Sequence, residues 1–249
     1  SVSKQAASDM DDFAQHDEDD PLTQHNTNVD EDPYARLKRA FVNERACPEI
    51  LQYEESLVDE AVEHVDMQQA ELDDRRASAA TAEAGRDSSA SDDLVDLLKT
   101  MELDRVKYLL RAYLRTRLYK LETFSLHIMQ DSNLFSRLSQ RERRFLGSHT
   151  DLLDKLHDDL VLKHLPQQFN SLVQQDTLVG ETNDMVPSPN LDTHVFIRVR
   201  GDLGRVNVGY SESEPNGRPS EVDMSAGDQF VVRYRPIAQL LANGEVELL

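Results

Sequence analysis

The chain has 249 residues, 39% of them hydrophobic and 30% charged, and carries a formal charge of −20. It is long enough for one or two domains but too polar to be packed throughout, and this acidity argues against broad phosphate binding. The excess is uneven: residues 1–93 hold 25 acidic and 8 basic residues, 94–165 hold 10 and 13, and 166–249 hold 12 and 6. Such asymmetry favours contacts between segments or subunits.

Residues 1–32 contain ten acidic residues and one basic one. With so few apolar side chains the segment is expected to be a disordered acidic tail. Asp11, Asp12 and Phe13 form a short acidic-hydrophobic patch within it. A solubilising tail is the favoured reading, and a linear motif that folds onto a partner is the alternative.

A short helix is predicted from Tyr34 to Arg45, carrying Leu37, Phe41 and Val42. A second is expected from Pro48 to Leu72, because proline suits a first helical turn. Ile50, Leu51, Tyr53, Leu57, Val58, Ala61, Val62 and Val65 give it one apolar face, opposite Glu55, Asp59, Glu60, Glu63 and Asp66. Residues 73–93 are small and polar with no apolar period, and read as a flexible insert. Ser91 or Asp92 is placed to cap the next helix, beginning near Leu94.

The stretch 103–129 is the element around which the chain is organised. It has neither Gly nor Pro, and apolar residues recur at Leu103, Val106, Leu110, Tyr113, Leu114, Leu118, Leu121, Phe124 and Ile128. That spacing of three and four marks one helix face, and the helix would be about 40 Å long. So long and broad a stripe suggests burial partly by another chain, with a large intrachain bundle as the alternative. Arg105, Lys107, Arg111, Arg115, Arg117 and Lys120 also make it the one strongly basic element. Pairing with carboxylates elsewhere in the chain is the favoured reading of that face; docking of an acidic partner or nucleic acid is the sharper one.

After a break over 131–138, Ser139-Gln-Arg-Glu142 fits a capping box opening a further helix, with Phe145, Leu152, Leu153, Leu156, Leu160 and Leu165 on its apolar side. Pro166 should end it. Residues 167–191 read as a linker. From His194 the period changes to two, with Val195, Ile197 and Val199 alternating against Phe196, Arg198 and Arg200. Further strands are expected at 205–210, 222–224 and 230–234, a short helix at 236–242, and a turn at Asn243-Gly244 into the final EVELL. A β-rich module of this size is marginal alone and is expected to pack on something.

The spacing reveals no active site. His149, His157 and His164 are eight and seven apart, unlike helical zinc ligands at three or four. Cys47, the single cysteine, has no CxxC partner and no intrachain disulfide, which suits a reducing cytosolic or nuclear compartment. Gly201, Gly204 and Gly209 match neither a P-loop nor a dinucleotide fingerprint. No apolar run reaches membrane-spanning length, and no signal-peptide pattern is present. A first residue of Ser leaves two expectations, an initiator Met removed or a sequence beginning inside a longer chain.

Three stretches together resemble one family, the Sld-five subunits of the eukaryotic GINS complex. They are RVKYLLRAYLRTRLYKLETF (105–124), LSQRERRFLGSHTDLLDKLHDDLVLKHLP (138–166), and DTHVFIRVR (192–200) followed by DQFVVRYRPIAQLLANGEVELL (228–249). The resemblance spans roughly 34–249; the tail and the insert depart from the compact form of the family. It implies an α+β chain, with an N-terminal α-helical bundle A domain (33–166) followed by a small β-rich C-terminal B domain (192–249). It implies a non-catalytic, nuclear scaffold subunit of the GINS tetramer, without cofactors. Its partners would be three other GINS subunits and, in the CMG replicative helicase, the minichromosome-maintenance ATPase ring and the Cdc-family co-activator. A replisome adaptor or polymerase would be a partner for the tail, with DNA contact indirect or weak and no membrane contact. The partner-interface candidates are Val106, Leu110, Tyr113, Leu114, Leu118, Leu121, Arg111 and Arg115 on the long helix, and Val246, Leu248 and Leu249 at the end of the chain. The alternative function is a nucleic-acid-binding adaptor using the basic helix over 105–120.

Overall fold

The computed structural model describes residues 32–81, 90–165, 186–210 and 219–249. The expectations for the acidic tail and most of the linker lie outside the described residues.

Helix α1, Pro33–Ala46, begins on proline, whose missing N–H is harmless in a first turn. Helices α2, Glu55–Thr81, and α3, Ala90–Thr123, run side by side and antiparallel. Leu72 packs with Leu103 in one buried cluster, and Leu37, Ala61 and Leu109 make a second. Outside these clusters Arg75 meets Asp96 at 3.2 Å and Lys99 meets Glu71 at 3.2 Å. Such exposed pairs are screened by solvent and fix register more than they stabilise.

The structure corrects the sequence reading at three places. Residues 47–54 are not helical, so α2 starts seven residues after Pro48. Their carbonyls are taken by side chains of α3: Lys120 donates to Glu49 O at 2.7 Å and Arg117 to Leu51 O at 2.8 Å. The insert at 73–93 is helical at both ends, because α2 continues to Thr81 and α3 starts at Ala90. The long helix does not run unbroken to Met129. It stops at Thr123, turns at Phe124 and resumes as α4, Ser125–Gln130, which lets Ile128 join Leu121, Leu134 and Leu146 in a third cluster.

Asp131 caps the short α5, Ser132–Ser136, and Ser139 caps α6, Gln140–Leu160, with both halves of the capping box formed. Only the first half of α6 is covered: Glu142, Leu146 and Thr150 are buried, while the residues from Asp154 to Leu160 are exposed.

The C-terminal part has two antiparallel sheets. Strand β1, His194–Val199, lies between β4, Gln229–Arg233, and β5, Val246–Leu248; β2, Gly204–Tyr210, pairs with β3, Pro219–Met224. The alternation along β1 is realised, with Val195, Ile197 and Val199 buried and Phe196 and Arg198 exposed. Helix α7, Tyr234–Ala242, covers the inner face with Ile237 and Leu241. Gly244, at φ 75°, makes the left-handed turn that sends the chain back into β5. The module packs on the segment after α1: Cys47 is part of its core, with Ala46 and Leu51 against it.

Candidate functional site

Helix α3 divides its residues between two faces. The inward face carries Tyr113, Arg117, Lys120 and Leu121, four, three and one residue apart, all buried. Arg117 is completely buried, and its guanidinium is fully engaged. Nε reaches Glu142 Oε1 at 2.7 Å, Nη2 reaches Glu142 Oε2 at 3.0 Å, and Nη1 reaches Glu44 Oε2 at 3.0 Å and Leu51 O at 2.8 Å. Tyr53 and Tyr113 stack at 6.4 Å, and the guanidinium carbon lies 5.2 Å and 5.8 Å from their ring centres. Burial alone would lower the Arg117 pKa, but the bonds to Glu142 and the charges of Glu44 and Glu142 more than offset it, so the net shift is upward. The cation is locked in place.

Lys120 completes the knot, donating to Glu44 Oε1 at 2.8 Å and to the carbonyls of Glu44 and Glu49 at 2.5 Å and 2.7 Å. The network extends to the β module. Arg137 pairs with Glu49 at 3.0 Å, and Tyr234 on α7 donates to the other Glu49 oxygen at 2.6 Å. Asn43 on α1 accepts the backbone N–H of Leu248 at 2.8 Å. Burial pushes the Cys47 thiol up to about 11 and the Tyr113 hydroxyl up to about 12. Buried, neutral and at the centre of packing, these groups serve the structure rather than chemistry. Among the described residues no cluster of His, Cys, Asp and Glu is arranged to hold a metal ion.

The interface candidates therefore separate. Tyr113, Leu121, Val246 and Leu248 are at most 2% exposed and are used inside this chain. Val106, Leu110 and Leu114 are partly buried, and Leu118 is 39% exposed. Arg111, Arg115 and Leu249 face outward. Other apolar side chains also face outward. Leu152, Leu156 and Leu160 form an exposed stripe four residues apart on α6, and Leu94, Leu97, Leu98 and Met101 lie exposed on the first turns of α3. The spacing of the α6 set was legible; that no described element of this chain covers it was not. On the β module Phe196 faces solvent beside its cross-strand neighbour Val231. No helix among the described residues is long and apolar enough to cross a membrane.

Residues 66–161 match the model of the GINS complex protein helical bundle domain, and 189–249 match that of the DNA replication complex GINS protein SLD5 C-terminus. The chain is 37% identical over 213 residues to the DNA replication complex GINS protein SLD5 of Arabidopsis thaliana, covering 86% of this chain and 89% of that one. It is 31% identical over 233 residues to the protein of the same name in Schizosaccharomyces pombe, covering 94% and 99%. The similarity to the Homo sapiens protein is 29% over 219 residues, covering 86% and 87%.

Proposed function

Because the chain belongs to the SLD5 family of GINS replication proteins, we propose that it is a non-catalytic structural subunit of a GINS complex acting in chromosomal DNA replication. It assembles with three related subunits and works in the nucleus. Within the CMG helicase its neighbours are the minichromosome-maintenance ring and the Cdc-family co-activator. The observation that carries this reading is the exposed Leu152, Leu156 and Leu160 stripe on α6. A helix face with that spacing, uncovered by the described residues of its own chain, is the kind of surface a subunit partner buries.

The nucleic-acid adaptor reading is weaker. Two cations of the 105–120 stretch, Arg117 and Lys120, are consumed in the buried network, and Arg105 pairs with Glu102 at 2.9 Å. The remaining cations sit on a chain of net charge −20, which weakens a phosphate-tracking surface.

The test is co-expression with three candidate partner subunits and size-exclusion chromatography. A four-subunit peak is expected for the unaltered chain. Leu152→Asp/Leu156→Asp should abolish it, because an unpaired charge in an apolar interface costs several kcal/mol. Circular dichroism of the variant should remain that of the folded chain, since both positions are exposed. A normal four-subunit peak from the double variant would remove the α6 stripe from the interface.

A further inference from the structure

The outward face of α3 carries a patterned groove. Asp104, Tyr108, Arg111, Arg115, Tyr119 and Glu122 are spaced four, three, four, four and three apart, so they form one stripe along the helix. All six are exposed, Tyr108 and Tyr119 by about two thirds. The stripe borders a groove of about 660 Å³ against α1, where Arg45 and Phe41 form the facing wall. Most other cations of the long helix have partners: Arg105 meets Glu102, Lys107 donates to Gln69, and Arg117 and Lys120 are buried with Glu44 and Glu142. Among the described residues no carboxylate pairs with Arg45, Arg111 or Arg115. Three adjacent open arginines are conspicuous in so acidic a chain.

We propose that this groove seats a segment of a co-subunit that has two or three carboxylates at its centre and apolar side chains on either side. The proposal rests on the subunit reading above and adds the partner's chemistry. Arg111 and Arg115 are about 6 Å apart along the axis, the rise between residues i and i+4 of a facing helix. Arginine presents a planar fork that suits a carboxylate, and three in one groove suit a short acidic centre. Tyr108 and Tyr119, about 16 Å apart, bracket that centre with apolar surface. Beyond them Asp104 and Glu122 close the stripe with negative charge. Those ends decide against nucleic acid. Duplex DNA carries a charge per about 1.7 Å of axis and would lay on the order of 16 charges along the roughly 27 Å between the two carboxylates. A short acidic centre stays within the arginines and meets neither.

The test uses the purified four-subunit complex with the photo-cross-linking residue p-benzoylphenylalanine at Tyr108 or, separately, Tyr119. Both side chains are exposed, so the replacement should leave the fold intact. If the unaltered chain forms no four-subunit complex, the subunit reading fails and the groove assignment falls with it. If the complex forms, irradiation should join each position to one co-subunit peptide with at least two Asp or Glu residues within five positions. Arg111→Glu/Arg115→Glu should lower the cross-linking yield at least tenfold at 0.15 M salt. Several outcomes overturn the proposal: cross-links confined to this chain, cross-links to a segment lacking carboxylates, or no cross-link. So would preferential cross-linking to an added 20-nucleotide oligo(dT), which would assign the groove to nucleic acid, or yields unchanged by the charge reversal.

Discussion

Glu142 caps the helix it belongs to and at the same time neutralises Arg117. Its Oε2 accepts the backbone N–H of Ser139 at 2.9 Å and the Arg117 Nη2 at 3.0 Å. One carboxylate thus joins the start of α6 to the buried face of α3. Glu44 does the same for α1 through Arg117 and Lys120. The helical bundle is keyed by two carboxylates and two cations, not by apolar packing alone.

Arg117→Met should destabilise the chain by about 3–5 kcal/mol, because it strands Glu142 in a buried site and leaves Glu44 with Lys120 alone. Adding Glu142→Gln should recover part of that loss, since the stranded charge is then gone. Urea unfolding followed by circular dichroism measures both. A loss below about 1 kcal/mol for the single variant would show that the network is energetically idle.

Ser139→Ala removes the acceptor for the Glu142 N–H and should cost about 1 kcal/mol. Arg75→Ala breaks the pairs to Glu71 and Asp96, which are exposed and screened by solvent, and should cost less than loss of the cap. Side-by-side thermal melts should therefore rank the cap above the two ion pairs. The reverse order would mean that the α2–α3 pairs are stronger than exposed pairs normally are.

The alkaline stability of the chain should depend on Cys47. Its ordinary pKa of 9.0 is pushed up to about 11, by burial first and against the lowering charge of Lys120. The unfolded thiol ionises near pH 9 while the folded one stays protonated, so the unfolded state binds fewer protons across that window. This contribution is whole below pH 9 and falls away as pH rises toward 11, at about 1.4 kcal/mol per pH unit. Tyr113, raised to about 12, has the same sign from about pH 10 upward. Urea midpoints between pH 8 and 11 should fall for the unaltered chain and fall less steeply between 9 and 10 for Cys47→Ala. Parallel curves would exclude the thiol as the source.

Much of this architecture was readable in advance. The strand at 194–199 announced itself by alternation, and the capping box by Ser139 and Glu142 ahead of an apolar run. Both depend on neighbours within a few residues. The error at Pro48 has the opposite origin: the segment after it is held by Arg117 and Lys120, some seventy positions away. The fate of Arg117 was legible in principle. It lies four residues after Tyr113 and four before Leu121, within the apolar stripe rather than on the Lys107–Arg111–Arg115 face. A cation on an apolar stripe demands buried carboxylates, but nothing local names Glu44 and Glu142 as those carboxylates. For the candidate interface, spacing placed side chains on a face without showing which faces the chain itself covers. Leu121 is fully buried and Leu118, three positions earlier, is half open for that reason.

The end of the chain offers the sharpest test of how the β module is held. Strand β5 pairs antiparallel with β1, setting Leu248 opposite Ile197 and Val246 opposite Val199. Val246 and Leu248 are each 2% exposed within the module's core, and Leu249 points outward. Burial of two such side chains is worth about 3–6 kcal/mol. The same strand reaches the helical part, since the Leu248 N–H is bonded to Asn43. A terminal strand ordinarily frays, but this one is fixed on one edge by β1 and at its last residue, Leu248, by Asn43 of α1. Deleting 245–249 should therefore open the Ile197 side of the core and release the module from α1, leaving α2, α3 and α6 intact. Limited proteolysis of the assembled complex should show rapid loss of the C-terminal fragment in the truncated protein alone. Asn43→Ala, which removes only the cross-connection, should leave the module folded but raise its rate of cleavage from the helical part. Identical digestion of all three proteins would mean that the last five residues hold nothing together.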